Sequence, residues 1–304
     1  MEQILHNCLM GLNGSMNIVI ITGGIGPERE VSINSAEFLA TQLTFAYHKT
    51  FLYPEEFEYF LSQSEHFDIV IPMIHGAAGE DGSLQKKLKE KYINYLFSDS
   101  EIHKKCFHKE ICKNLVSELG YNIPKTYNLE SENISFPIIA KPQESGSSDH
   151  LYYIEDRQQL DSFNIDKNFI LEEFVTGREF TVGVIEYNNM DIPLPVMEIR
   201  KNGKIFNQEE KYSAIAADIE IFMEASENAL EEKLKDITLN IHKKLGIKNL
   251  SRTDFIVTED NQIYFLEINT IPGCTQTSFI PKMIKKEGIS FNELLAYWCK
   301  KELE

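Results

Sequence analysis

Residues 17–22 read NIVIIT and stop at Gly23-Gly24, and residues 68–74 read DIVIPMI and stop at His75-Gly76. Short, unbroken apolar runs of this kind are strands of a parallel sheet, because a strand covered on both faces has no polar side to present. A third run at 93–97 and a helical stretch at 32–43 complete a strand–helix alternation. The amino-terminal part is thereby held to an open α/β sheet, and the chain as a whole to class α/β with α+β parts. Such sheets bind ligands beyond the carboxyl ends of their strands. Both polar clusters of this region, Glu28-Arg29-Glu30 and His75-Gly76 with Gly79-Glu80-Asp81-Gly82, fall there.

Farther along, Ile102, Cys106, Leu115, Val116 and Leu119 stand at helical spacing, with Gly120 as the stop. Residues 136–141 (FPIIAK) read as a strand that ends on Lys141, and residues 169–174 and 179–185 as a strand pair around a Thr176-Gly177 turn. Ser226 caps a helix whose apolar stripe runs through Leu230, Leu234, Ile237, Ile241 and Leu245 to Gly246. The last stretch is helical, with Phe291, Leu294, Leu295 and Trp298 on one side.

Composition narrows the classes. A length of 304 residues suggests two or three domains. A net charge of −17 argues against a sequence-independent nucleic-acid binder, which needs a basic surface, while leaving room for one locally positive pocket. No apolar run is long enough to span a membrane. Residues 1–15 carry no Lys or Arg and read as a disordered extension rather than a secretory signal. Cys8, Cys106, Cys112, Cys274 and Cys299 are odd in number and scattered, which fits neither a disulfide framework nor a CxxC metal site. A reducing, cytoplasmic setting is expected.

The most informative segment runs from Arg252 to Asn269. Asp260-Asn261 suits a two-residue hairpin turn, since both tolerate left-handed backbone angles. Antiparallel pairing around that turn sets Asp254 directly opposite Glu267, with Cβ atoms roughly 4.5–5.5 Å apart. Asn269 projects from the same face, and the same register puts Ile256, Ile263 and Phe265 there too. Two carboxylates so placed repel unless a cation or proton intervenes, and three oxygen-bearing side chains suit Mg²⁺. The alternative is a pair of solvated acids on an exposed sheet. A three-residue loop would shift the register by one and break the opposition.

Lys141 ends a strand and precedes Pro142 and the Gly/Ser loop Gly146-Ser147-Ser148, an arrangement that can hold a phosphate through an ammonium, N–H groups and hydroxyls. The loop is not a Walker A sequence, and Lys109 by itself reads as a surface lysine of a helix.

These residues carry a resemblance. Gly23-Gly24 with Glu28-Arg29-Glu30-Val31-Ser32, His75-Gly76 with Gly79-Glu80-Asp81-Gly82, Lys141-Pro142 with Gly146-Ser147-Ser148, and Glu172-Glu173-Phe174 with Gly177-Arg178-Glu179 resemble the signatures of D-alanine:D-alanine ligases, in the ATP-grasp superfamily. Lys211-Tyr212, Arg252-Thr253-Asp254-Phe255, Glu267 to Gly273 and Thr277-Ser278 continue the likeness in the same order, over about residues 17 to 300. The resemblance implies a three-domain ATP-grasp architecture with an amino-terminal α/β substrate domain at 16–100. A central subdomain at 101–171 and a carboxy-terminal one at 172–304 would follow, with ATP between them. It implies Lys109, Lys141 and Lys211 as ATP contacts, Glu172, Glu173, Phe174 and Val175 as the adenine strand, and Glu179 on the ribose. Asp254, Glu267 and Asn269 match the ligands of Mg²⁺, for which Mn²⁺ is a substitute. Glu28 would orient the first D-alanine's ammonium, with Ser147 and Tyr212 in a closing hydrogen-bonded contact and His75 beside the first substrate. Ser278 and Phe279 would meet the second substrate, and Arg252 with the Gly273 N–H would stabilise an oxyanion. A homodimer is the assembly the resemblance implies.

Three departures stand out. Asp149-His150 follow Ser148 where the family usually has Val-Gly, His108 replaces an Asp before Lys109, and the stretch after Tyr212 (SAIAADIEIF) lacks Gly and Pro. They bear on turnover and substrate choice. The alternatives are therefore an ATP-grasp ligase for other carboxylate and amine substrates, and a nucleotide-binding homologue with impaired catalysis.

Overall fold

The structure, a computed structural model, describes residues 16–304 apart from 64, 130, 132, 146–150, 164, 166–167 and 201–219. The extension at 1–15, Ser147, Asp149-His150, Lys211 and Tyr212 lie outside the described residues.

The amino-terminal sheet is parallel, in the order β2-β1-β3, from β1 (Met16–Gly23), β2 (Ala46–Tyr53) and β3 (Ile69–Met73). Helices α1 (Arg29–Gln42), α2 (Phe57–Ser62) and α3 (Ser83–Glu90) surround it. Two of its strands were legible. β2 was not, because an edge strand reading AYHKTFLY alternates with polar residues instead of forming a run. The third expected strand, at 93–97, reduces to one parallel bridge between Val70 and Tyr95. Phe97 takes a φ of 74°, which ends extended geometry there.

The single helix expected around Ile102–Leu119 is two, α4 (Ser100–Phe107) and α5 (Lys109–Glu118). His108 breaks it with an extended backbone and caps α5, its Nδ1 accepting from the Ile111 N–H at 3.4 Å. The imidazole thus takes up one of the helix's unpaired N–H groups. Lys109 becomes the first residue of α5, buried rather than on the surface.

The second sheet is antiparallel, in the order β4-β7-β5-β6, from β4 (Thr126–Tyr127), β5 (Ile138–Pro142), β6 (Tyr152–Ile154) and β7 (Phe169–Glu173). Ile138, Ala140, Ile154 and Leu171 form its apolar side with Leu160 of α6 (Arg157–Ser162). The third sheet contains β8 (Arg178–Tyr187), β9 (Met190–Pro193), β10 (Met197–Ile199), β11 (Glu220–Phe222), β12 (Leu250–Val257) and β13 (Ile263–Asn269). Its order is β11-β10-β8-β12-β13, with β9 on β8. Residues 169–174 and 179–185 are therefore not a pair: β7 and β8 belong to different sheets, and 174–177 crosses between them. Gly177 lies so close to β12 that a Cβ would stand 2.4 Å from the Val257 carbonyl oxygen. The boundary expected between 171 and 172 falls inside β7.

Helix α7 (Asn228–Leu245) is not capped by Ser226, which lies within a preceding 3₁₀ turn and leaves Glu227 at the N-cap; the helix ends, as expected, on a left-handed Gly246. The helices α8 (Phe279–Glu287) and α9 (Phe291–Leu303) return to the first sheet, where Ile280, Leu294 and Trp298 join Ile18, Ile20, Leu39 and Ile69 in one core. Each such buried side chain contributes about 1.5–3 kcal/mol. A second core packs Phe255 and Phe265 against Cys112 and Val116 of α5 and Leu234 and Ile241 of α7.

Candidate active site

Asp254 and Glu267 are register partners across β12 and β13. The route to that pairing differs from the expected one. Asn261 sits at φ 62°, and Thr258 N–H donates to Gln262 O at 3.0 Å, so the loop holds three residues, Glu259, Asp260 and Asn261. That shifts the register by one, and Phe255 pairs with Phe265 rather than Leu266. A bulge between Asp254 and Phe255 shifts it back, and the two carboxylates face each other after all. The same bulge turns Phe265 and Ile263 onto the opposite, apolar face. They do not share the face of Asp254, as the simple register requires. What shares it from β8 is Glu179, opposite Ile256, and Thr181, opposite Asp254.

Asp254 is 8% exposed and fully hydrogen-bonded in this state. Thr181 Oγ1 donates to Oδ1 at 2.6 Å, and Arg252 grips both oxygens through Nε (3.1 Å) and Nη2 (2.8 Å). The Arg252 guanidinium in turn lies over the Phe279 ring, 5.5 Å from its centroid. The donor set of Asp254, Glu267 and Asn269 fits a hard divalent cation, being all oxygen. The Asn269 Nδ2 is buried without a partner, consistent with an amide whose oxygen is turned to the site. Among the described residues no group of three His, Cys, Asp or Glu could hold a metal, and the third candidate ligand here is the amide of Asn269.

The amino-terminal loops reach the same place. Glu28, just before α1, and Glu80 are buried. Glu80 Oε2 accepts from Gly76 N–H at 2.8 Å, yet burial, with Glu28 close by, pushes its carboxyl up to about 8. Gly76 takes a φ of 72°, a left-handed angle that favours glycine, and a Cβ there would lie 2.6 Å from Glu28 Oε2 and displace that side chain. His75 is locked: its Nδ1–H donates to Ile271 O (2.8 Å), which leaves Nε2 to accept from Ser35 Oγ (3.0 Å). Its backbone N–H donates to Ser32 Oγ at 2.9 Å. Burial depresses its basicity despite the nearby Glu28. The ring is therefore a neutral tether between the first sheet and residues 271–274, and Ser35 Oγ also accepts from Cys274 N–H (3.2 Å).

Ser278 precedes α8, and its Oγ accepts from Thr275 N–H at 3.0 Å. Gly273 is so close that a Cβ would stand 3.1 Å from Ser278 Oγ. One cavity is lined by Glu28, His75, Glu80, Arg252, Glu267 and Asn269, together with Gly273, Ser278 and Phe279. Glu220, which the sequence did not flag, lines it too and pairs with Lys282 at 2.7 Å. The helix N-terminus suits a carboxylate and the acids suit an ammonium, together the two ends of an amino acid.

A smaller cavity, lined by Glu80, Lys109, Ser145, Glu267 and Asn269, adjoins it. Lys109 Nζ donates to the Ser145 carbonyl, and burial lowers its pKa. On the other side Glu172 lies between two lysines, Oε1 3.0 Å from Lys113 Nζ and Oε2 3.1 Å from Lys141 Nζ. Burial works against both charges, but Glu172 leaves Lys141 above the usual lysine value, while the two lysines hold Glu172 below the usual carboxylate value. Lys113, more deeply buried, falls to about 8. Sequence reasoning passed over Lys113, although it stands one turn beyond Lys109 on the same helix. Glu173 Oε1 accepts from Lys125 N–H (3.1 Å), and Phe174 meets Tyr153 edge-on at 4.9 Å. Val175 on the crossing and Glu179 in β8 are half-buried.

A family model described as D-ala D-ala ligase C-terminus matches residues 109–298. A curated D-alanine--D-alanine ligase of Aquifex aeolicus is 32% identical over 294 residues, covering 92% of this chain and 99% of that protein. Among solved structures, the D-alanine--D-alanine ligase from Bacillus anthracis complexed with ATP is similar at a TM-score of 0.79 and 26% identity, covering 96% of this chain and 98% of that one. The VanG D-Ala:D-Ser ligase from Enterococcus faecalis is similar at a TM-score of 0.76 and 25% identity, covering 96% and 100%.

Proposed function

This chain belongs to the D-alanine--D-alanine ligase family, and from that premise we infer that it joins two D-alanines to D-alanyl-D-alanine with ATP, as an ADP-forming enzyme of the ATP-grasp fold. The dipeptide would serve peptidoglycan precursor synthesis. One observation carries the reading: Glu80, Glu267 and Asn269 line both the amino-acid cavity and the smaller cavity at Lys109. A phosphate and a substrate carboxylate would meet there.

The carboxylate of the first D-alanine attacks the γ-phosphorus of ATP, ADP leaves, and an acyl phosphate results. Glu28 would hold the ammonium of this D-alanine, beside the tethered His75. Lys109 and Lys141, with Lys211, would bind phosphate oxygens, the main electrostatic requirement of phosphoryl transfer. Glu172 to Val175 would border the adenine and Glu179 the ribose. Asp254, Glu267 and Asn269 would hold Mg²⁺ or Mn²⁺, which supplies neutralising charge to the phosphates. The amine of the second D-alanine then attacks the acyl carbon and phosphate leaves. Ser278, at the α8 N-terminus beside Phe279, would receive the second carboxylate, while Arg252 and the Gly273 N–H would stabilise the tetrahedral oxyanion. Water must be kept out because an acyl phosphate hydrolyses. Ser147 and Tyr212 are the residues we assign to closing the site.

We place the enzyme in the cytoplasm, on the strength of the four buried free thiols among the described residues, and as a homodimer, on the family resemblance. Among the described residues no helix is long and apolar enough to cross a membrane.

Phosphate release from ATP, measured with D-alanine alone and then with L-alanine, D-lactate or D-serine added singly, tests this. D-alanine-dependent release with D-alanyl-D-alanine as product is expected; ATP turnover without that product would overturn it. Glu220 favours a second reading, in which the second substrate carries a hydroxyl that a carboxylate can accept from. The D-serine arm decides between them.

A further inference from the structure

Lys113 has no part in the chemistry above, yet its side chain is 1% exposed and lies against Glu172, itself 3% exposed. A helix position flanked by the buried Cys112 and Val116 would ordinarily be apolar. The 3.0 Å contact to Glu172 Oε1 is one of charge, out of hydrogen-bond alignment. Lys141 takes the other oxygen, Oε2.

The division matters because of what Lys141 is asked to do. Were Lys113 apolar, the full charge of Glu172 would fall on Lys141, and an ammonium matched by its own buried carboxylate has little left for a phosphate. With two lysines on one carboxylate, Glu172 is the full counter-charge of neither, and Glu267 and Glu179 act on Lys141 as well. We propose that Lys113 is a positioning residue of the nucleotide site: by holding Glu172 Oε1 it divides that carboxylate's charge and leaves Lys141 available to a nucleotide phosphate. This rests on the nucleotide reading given above.

Calorimetric ATP binding and steady-state kinetics on the full chain test it. Wild-type protein that bound no ATP would sink the nucleotide reading itself. Given binding, Lys113→Met should weaken ATP about tenfold and raise KM for ATP in proportion, with kcat at saturating ATP changed by no more than about twofold. Lys113→Arg should keep the wild-type affinity within about threefold. The discriminating result is rescue, read with inorganic tripolyphosphate so that the adenine contact of Glu172 plays no part: Lys113→Met should weaken it about tenfold, and Glu172→Gln added to that variant should return its affinity to within about threefold of wild type, because Lys141 is then no longer claimed. A purely structural lysine gives no rescue. Unchanged binding in Lys113→Met, a loss confined to kcat, or a double variant as weak as the single overturns the proposal. Should Lys113→Met fail to fold, the double variant, which removes the pair together, and Glu172→Gln alone carry the test. Both are read with inorganic tripolyphosphate, which has no adenine for Glu172 to border: each should bind it at least as tightly as wild type, and a tenfold loss in either overturns the proposal.

Discussion

Arg252 and Asp254, two residues apart on one strand, form a two-pronged ion pair in which Nε and Nη2 each reach a separate carboxylate oxygen, at 3.1 and 2.8 Å. The pairing gives a buried carboxylate two charge-assisted hydrogen bonds. It also fixes the guanidinium over Phe279, at the mouth of the amino-acid cavity.

Replacing that guanidinium separates binding from bond formation. Arg252→Met should lower the rate of dipeptide formation by about 10²–10³, the usual loss for one oxyanion donor, while ATP affinity stays within about threefold. A coupled phosphate assay and calorimetry check the two halves, and an unchanged rate would remove Arg252 from the chemistry.

Asp254 is the carboxylate a divalent ion would share with Glu267. Asp254→Asn should keep the Thr181 contact in part but weaken the apparent Mg²⁺ affinity, read from turnover against Mg²⁺ concentration, by at least about tenfold. Chelation with EDTA should stop phosphate release by the wild-type enzyme, and added Mn²⁺ should restore it.

His75 joins two parts of the chain that are 196 residues apart, through the Ile271 carbonyl. His75→Ala leaves that carbonyl and Ser35 Oγ without their partner, a cost of roughly 1–3 kcal/mol for a buried group. Thermal denaturation should show the loss. KM for the first D-alanine should rise as well, since the Ile271–Cys274 loop lines the cavity.

His103 gives the stability a slope in acid. Its Nδ1 meets Thr270 Oγ1 at 2.7 Å, and burial, outweighing Asp99, brings its pKa down to about 4. The folded value lies below the unfolded one of about 6.5, so its contribution is intact above pH 6.5 and is lost as pH falls toward 4, on the order of 3 kcal/mol in full. His242, brought by burial to about 4 as well, adds a second loss in the same window. Urea unfolding from pH 7 to 4 should therefore show a shallower fall for His103→Asn than for wild type; identical slopes would rule this source out.

Much of this was legible. The buried parallel strands β1 and β3 show as apolar runs, and the stops at Gly120 and Gly246 appear as left-handed glycines. Of the residues flagged around the cavity, Glu28, His75, Gly273 and Ser278 converge on it because each follows a strand or opens a helix, while Arg252, Glu267 and Asn269 reach it from one face of β12 and β13. Less legible was anything set by partners distant in sequence. The edge strand β2 has no apolar run to announce it, and nothing local tells β7 that its neighbours are β4 and β5 rather than β8.

By itself the sequence determined the alternation of elements, the order of the motifs and the identity of the acids and lysines, since these depend on local periodicity and side-chain chemistry. Tertiary structure alone decided who meets whom. The opposition of Asp254 and Glu267 survives a three-residue loop only because a bulge restores the register, and Glu172 is divided between lysines from α5 and β5. Register and ion pairing answer to packing on the far face of a sheet and to the loss of water around buried charge, and neither is written in any one stretch of chain.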